Sequence, residues 1–508
     1  MAQGKLGANL VSNVAFFGLN IVVSLWLVSY LVRQLGVAAY GLVPLAVTVA
    51  GYFNVITAGL NAAVGRHLTV AMSSGDQARA NSIFNSSLWA SVLVGLLMCV
   101  LGLPLLTHIA EWITVPAGLE ADAGWLFFLT VGGLAVTTLG TPFQSVVYSR
   151  NRFDLQNLGN ILGLVARVVA VLVLFHLTAP RLWHVGASVL GAALATIAVV
   201  MVAARRLAPA LKPRVDGFSW GMVREIGGTG GWVFISQIGT LLLINIDLLV
   251  ANKIVGPAAG GQYALVLQWS MLLRNFALVV SGVFGPTILT LHAQGRIDEM
   301  IDYARASVRH LGLVMAIPIG IVCGFSEAIL RVWLGPDFAP LSLVMILATA
   351  HLTLNLAYLP LHNISLATNH VKIPGITQVL AGVVNLALAI WMAKAWGLYG
   401  IAIAGGLVLL LRNLIFTPLY AAHILARPWW TFAREVLPIL GMAAAVFAAA
   451  LAVSHLAHPH AWLTLGLSAC GVGAFGLALL WAVFLRPEHR AAVLGKLRAK
   501  LKRGGAPA

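Results

Sequence analysis

Apolar residues along this chain do not alternate with polar ones. They run in blocks near 8–32, 41–64, 82–107, 125–148, 157–178, 183–204, 229–252, 261–290, 308–331, 340–366, 373–395, 398–421, 436–455 and 462–485. A bilayer core is crossed by roughly 20 helical residues, and inside it every backbone N–H and C=O must be bonded within its own segment. Each block therefore predicts a membrane-spanning helix, fourteen in all. A β-barrel is excluded, because its strands would alternate apolar and polar positions. Within several blocks polar residues recur at helical spacing: Asn9, Asn13, Asn20 and Ser24; Thr130, Thr137, Thr141, Gln144 and Tyr148; Ser236, Thr240 and Asp247; His351, Asn355, Tyr358 and His362. Each set occupies one helix face. Lipid-facing surfaces do not carry such stripes, so these faces are expected to point inward, as helix–helix hydrogen bonds or as the wall of a water path.

Composition agrees with the pattern. The 508 residues are 60% hydrophobic and 9% charged, against about 25% charged in soluble domains, and the mean hydropathy is +0.94. The first block is too long for a signal-peptide core and is read as a retained helix. A net charge of +16 would suggest nucleic acid in a soluble protein; here it reflects the cationic bias of cytoplasmic loops. With both termini cytoplasmic, 23 of the 31 lysines and arginines fall inside, and five (Arg33, Arg181, Lys253, Arg331, Lys394) outside. The basic tail 486–503 is then a topology anchor or lipid-recognition helix on anionic lipid. Cys99, Cys323 and Cys470 lie far apart in apolar runs and carry neither metal nor disulfide spacing.

Leu35-Gly36-Val37-Ala38-Ala39-Tyr40-Gly41 returns 220 residues later as Val255-Gly256-Pro257-Ala258-Ala259-Gly260-Gly261, with Tyr263 slightly displaced. The loop Ser74-Gly75-Asp76 returns at the same offset as Gln294-Gly295-Arg296, and Arg152 as Lys372. The expected organisation is two pseudo-symmetric six-helix lobes, 1–204 and 229–421, joined by a cytoplasmic linker, 205–228. An extra helix pair, 422–485, and the basic tail, 486–508, follow. Transporters built from parallel repeats place their substrate site between the halves, near mid-depth.

The remaining three cations, Arg167, Arg274 and Arg412, fall near mid-span. A guanidinium there costs at least ~3 kcal/mol and cannot be shed by deprotonation. Such residues line a wet cavity that attracts anions, or they are buried partners of backbone carbonyls or of Asp247. Asp247 is the one acid well inside a span, whereas a drug-cation antiporter would want embedded carboxylates. Arginine's planar fork matches phosphate oxygens, so an anionic cargo fits better. The candidate cavity residues are Arg167, Arg274, Arg412, Asn13, Asn20, Gln237 and Asn355, with Asp247 as a coupling or gating group. No Gly-Lys-Ser/Thr phosphate loop, nucleophile–base pair or metal-ligand spacing points to an enzyme. His455, His458 and His460 read as an outer loop interrupted by Pro459.

Arg33-Gln34-Leu35-Gly36 followed by Tyr40-Gly41, Ala58-Gly59-Leu60 with Arg66 before Gly75-Asp76, Ile246-Asp247-Leu248-Leu249 before Gly256, Trp333-Leu334-Gly335-Pro336-Asp337-Phe338, and Asn385 before Gly397-Leu398-Tyr399-Gly400 together resemble one group. It is the polysaccharide or lipid-linked oligosaccharide flippases of the multidrug/oligosaccharidyl-lipid/polysaccharide superfamily. The resemblance implies two lobes around a cationic cavity. It also implies a polyprenyl-(pyro)phosphate-linked glycan as cargo, turned across a bacterial inner membrane for polysaccharide biosynthesis, with H+ or Na+ as driving ion and no other cofactor. A polysaccharide polymerase and glycosyltransferases would be the protein partners, with membrane lipids around the helices. Two extra helices resemble the fourteen-span lipid II flippase branch, from which the chain departs by lacking an arginine cluster in span 1. A cation-coupled multidrug exporter is the alternative on the same architecture, and a scaffold for glycan-assembly enzymes a third.

Overall fold

A computed structural model of the chain describes residues 2–214, 217–228 and 231–484, excepting the side chains of 2–11, 14, 55–56, 58–63, 225–228, 231–236 and 484. All secondary structure in that set is helical. The path begins with α1 (Ala2–Leu35), α2 (Val37–Tyr40), α3 (Leu42–Ser73), α4 (Gln77–Gly102), α5 (Pro104–Trp112), α6 (Glu120–Leu139), α7 (Thr141–Ser149), α8 (Phe153–Leu177) and α9 (Leu182–Leu207). Then come α10 (Trp220–Gly228), α11 (Gly231–Ile244), α12 (Ile246–Val250), a π-helical turn (Ala251–Val255), α13 (Pro257–Ser281), α14 (Gly285–Ala293) and α15 (Ile297–Gly324). It continues through α16 (Ser326–Leu334), α17 (Ser342–Ala350), α18 (Leu352–Ala357), α19 (His362–Ala367) and α20 (Lys372–Leu410). A second π-helical turn (Leu411–Phe416), α21 (Thr417–Ile424), α22 (Val436–Ala457) and α23 (Trp462–Leu479) complete it.

Among the described residues twelve stretches are long and apolar enough to cross a bilayer, or thirteen if Gln237–Ile244 and Ile246–Val255, bent by 44°, form one span. The chain is a multi-pass membrane protein. Two places account for the difference from the expected fourteen: the bent pair stands where the span 229–252 is expected, and two later spans are merged. The expected spans 373–395 and 398–421 run together as Lys372–Ile424, 53 residues, more than twice what a bilayer needs. Inside that stretch Gly397, at φ 57° and ψ −132°, kinks two helices apart. The basic tail 486–503 lies outside the described residues.

The repeat is visible in the backbone. Gly36 and Gly256 both take positive φ, 80° and 124°, and the amides of Tyr40 and Gly260 donate back to their carbonyls at 2.9 Å each. Gly75 and Gly295 are left-handed at φ 74° and 71°. Past them, Asp76 N–H donates to Ala71 O at 3.1 Å and Arg296 N–H to Leu291 O at 3.0 Å, the same helix-terminating motif at the same offset. Asn151 and Asn369, at φ 54° and 59°, make a third matched turn. Here the match falls two residues short of 220, which corrects the pairing of Arg152 with Lys372: Arg152 N–H donates to Val147 O, and its counterpart His370 N–H to Ser365 O.

Packing divides the chain differently from the repeat. One compact unit holds Met1–Leu265 with Lys372–Ala404, the other Val266–Val371 with the described part of Gly405–Ala508. In the first unit the repeat-related glycines touch: a Cβ on Gly41 would stand 2.6 Å from the Gly261 amide nitrogen, and one on Gly261 would strike the Val37 carbonyl. Close by in sequence, Asn252 of the first π turn clamps a loop after α5. Its Oδ1 accepts from Thr114 N–H at 2.9 Å and its Nδ2 donates to Thr114 O at 3.1 Å. Lys253 Nζ donates to Glu111 O at 3.0 Å. Asn252 is fully buried, and each bond contributes about 0.5–1.5 kcal/mol net. Asn252→Ala is therefore expected to cost about 1–3 kcal/mol, read as a lowered melting temperature of the purified protein; an unchanged value would show the clamp to be energetically idle.

The linker docks on α4 in the same unit. Asn85 Nδ2 donates to Lys212 O at 3.2 Å and its Oδ1 accepts from Arg214 N–H at 2.6 Å, while Ser86 Oγ accepts from Ser219 N–H at 2.9 Å. In the second unit, α22 lies along α15, where Gly320 brings the backbone so close that a Cβ would stand 2.9 Å from Val446. The segment Trp429–Glu435 is pinned to that unit by Arg305 Nε to Thr431 O at 2.6 Å, Tyr358 Oη to Phe432 O at 3.1 Å, and an Arg309–Glu435 ion pair at 3.3 Å.

Candidate functional site

Arg274 and Arg412 lie in the second unit and Arg167 in the first. The stripe His351, Asn355, Tyr358 and His362 organises the second unit's polar groups. Ser270 and Arg274 sit four residues apart on one face of α13. Ser270 Oγ donates to Ala348 O at 3.1 Å, which brings Arg274 within electrostatic range of His351 one turn on. The His351 ring packs against α20, where a Cβ on Gly406 would be 3.1 Å from its Cδ2. One turn further, Asn355 is almost fully buried. Its Oδ1 accepts from Asn413 Nδ2, and Asn413 Oδ1 accepts from Arg412 Nη1 at 2.6 Å. His362 lies within range of Arg412. Tyr358 faces elsewhere, bonded to Phe432.

Arg412 is carried on the second π-helical turn, Leu411–Phe416. Such a turn shifts one residue's worth of backbone and re-aims the side chains it holds. The chain Arg412–Asn413–Asn355 leaves donors over. Arg412 Nε and Asn355 Nδ2 are buried and have no hydrogen-bond partner. In the first unit, Arg167 Nε is likewise buried without a partner, and the Tyr40 side chain, itself buried, lies within electrostatic range of that guanidinium. Each unit thus holds buried donors without partners, on Arg412 and Asn355 in the second and on Arg167 in the first, all three residues expected from sequence, and such donors suit an oxyanion.

Asp247 occupies the first turn of α12, just past the break at Asn245. It is buried and accepts from Asn385 Nδ2 at 2.8 Å, while Asn385 Oδ1 has no partner. Seven residues earlier in both segments, on α11 and α20, Gln378 Nε2 donates to Thr240 Oγ1 at 3.3 Å. The span-7 stripe thus faces α20, and the polar rungs repeat every two turns. Gly239 and Gly382 allow the approach, since a Cβ on either would meet α20 or α11 atoms at 2.6 Å.

Asn13 is exposed and accepts from Asn157 Nδ2 at 2.6 Å. Asn20 and Gln237 are half-buried. The side chains of Asn9 and Ser236 lie outside the described residues. Sequence reasoning missed Asn413, Gln378 and Asn157 and gave Asn385 no role. The seven-residue spacing of Gln378 and Asn385, matching Thr240 and Asp247, was the available signal; Asn413 beside Arg412 was another.

The model of the family described as "Polysaccharide biosynthesis protein" matches residues 6–292. The chain is 30% identical over 496 residues to the uncharacterized membrane protein EpsK of Bacillus subtilis (strain 168), covering 97% of this chain and 98% of the relative. It is 20% identical over 420 residues to a putative O-antigen transporter of Shigella flexneri, covering 81% and 97%. Among solved structures, the lipid II flippase MurJ in an inward closed conformation shares the fold with a TM-score of 0.65 at 15% identity, over 94% of this chain and 100% of that one.

Proposed function

Because the chain belongs to the polysaccharide biosynthesis protein family, we propose that it is a flippase for a polyprenyl-(pyro)phosphate-linked oligosaccharide repeat unit. It moves the cargo from the cytoplasmic to the outer leaflet of a bacterial inner membrane by alternating access. The O-antigen transporter among its relatives supports this cargo class. The observation that carries the reading is the pair of buried, partnerless nitrogens on Arg412 and Asn355 in the second unit, with Arg167 Nε in the same condition in the first. Each unmet buried donor costs about 1–3 kcal/mol, on top of the cost of a fixed cation in hydrocarbon. A phosphate supplies several acceptors at once, and arginine binds it in a forked geometry. Arg274, beside His351, adds charge to the second unit. In this reading the bent pair around Asn245 is one span and Gly397 separates two, for fourteen spans with both termini cytoplasmic.

The test is reconstitution in liposomes with a fluorescent short-chain polyprenyl diphosphate oligosaccharide. Leaflet-to-leaflet movement that depends on the protein is expected. The rival reading, a cation-coupled drug exporter, draws on the buried Asp247–Asn385 pair. Efflux of a cationic dye without movement of the glycan lipid would establish it instead. In the flippase reading Asp247 couples transport to an ion, H+ or Na+. Asp247→Asn should then leave cargo binding within about twofold but remove the response of transport to imposed pH and Na+ gradients. A variant that still responds would take Asp247 out of the coupling step.

A further inference from the structure

The first unit holds a cavity of about 690 Å³ that is separate from the buried arginines. Three helices build it by splitting their faces. On α3, Val64, Leu68 and Ala71 enter the apolar core with Phe84 of α4, while Arg66 and Thr69 turn to the cavity. On α7, Phe143 and Val146 join that core, while Gln144 and Tyr148 turn to the cavity. Phe153 and Gln156, from the first turn of α8, close it. The cavity lies by the loops around Gly75 and Asn151, the end of the unit that the distribution of cations assigns to the cytoplasm.

The chemistry of this lining is specific. Two primary amides, two threonine hydroxyls, a serine hydroxyl and a guanidinium stand around a phenol and a second aromatic ring, Tyr148 and Phe153, whose centroids are 5.5 Å apart. There is no carboxylate in the lining. Among the described residues, none accepts from or donates to the side chains of Gln144, Gln156 and Arg66, so these polar groups are open to a ligand. Amides present a donor and an acceptor side by side, the pairing that adjacent sugar hydroxyls require. Aromatic side chains offer an apolar face to the C–H side of a pyranose together with a polar tip. A volume of this size suits a small ligand, here one or two sugar rings.

We infer that this cavity, lined by Arg66, Gln144, Tyr148 and Gln156, is a carbohydrate subsite that recognises the glycan of the cargo on its entry side. The inference rests on the flippase reading and assigns the sugar to one set of residues and the phosphate to another. The two can fail separately. The full-length protein in lipid nanodiscs would be titrated with farnesyl diphosphate, and with farnesyl diphosphate carrying galactose, N-acetylglucosamine or glucuronic acid. At least one glycosylated probe should bind tenfold or more tighter than the bare lipid. Gln144→Ala combined with Gln156→Ala should abolish that difference while leaving affinity for bare farnesyl diphosphate within twofold, which also shows that the variant is folded. Tyr148→Phe, which keeps the ring, should retain more of the difference than Tyr148→Ala. Equal binding of all four probes, or a double variant that weakens bare and glycosylated probes alike, would overturn the subsite. Loss of bare-lipid binding in the wild-type protein would instead overturn the phosphate reading.

Discussion

Replacing Arg412 by glutamate is expected to lower transport of a lipid-linked oligosaccharide by about a hundredfold or more, with protein abundance unchanged. A charge-assisted hydrogen bond contributes about 1.5–3 kcal/mol, and every 1.4 kcal/mol is tenfold. Charge reversal would remove the proposed bond and add repulsion toward the proposed phosphate. The effect reaches further than one side chain. Arg412 Nη1 holds Asn413, and Asn413 holds Asn355, so the variant also frees the groups that orient the neighbouring donor. Arg412→Lys keeps the charge but not the fork and should fall between, roughly tenfold below wild type by the same arithmetic. Transport in liposomes and in cells reads both variants. Wild-type transport by Arg412→Glu would overturn the proposed anion site at Arg412.

The other large effect is on folding. Gly261→Val should prevent accumulation of folded protein, because its Cβ would overlap the Val37 carbonyl, a backbone atom that no rotamer change relieves. Overpacking typically costs about 1–3 kcal/mol and occasionally more; a clash with backbone belongs at the upper end. Gly41→Ala, whose Cβ would meet the Gly261 amide at 2.6 Å, should be milder yet clearly destabilising. Gly191 makes the control, since an added Cβ there meets nothing within 4 Å. Gly191→Ala should be neutral or stabilise by up to about 1 kcal/mol. Thermal melting in detergent orders the three, and equal stability of Gly41→Ala and Gly191→Ala would contradict the close contact.

The sequence by itself determined the membrane class, the helical secondary structure, the recurrence of matched turns and which side chains are out of place in hydrocarbon. These are legible because they follow from local quantities: twenty apolar residues span a bilayer wherever they occur, and an arginine is charged in every setting. Matched glycines 220 residues apart were readable for the same reason, since positive φ is a demand of the backbone at one position. What only the tertiary structure decided is who meets whom. Asn413 bridges Arg412 to Asn355, Asn385 holds Asp247, and Gly41 rests on Gly261. Each of these pairs the chain across distant segments or depends on a π-helical turn, and helical periodicity gives a residue's face but not the helix opposite it. The cavity at Gln144 and Gln156 was equally hidden, because a hollow exists only where three helices fail to fill the space between them.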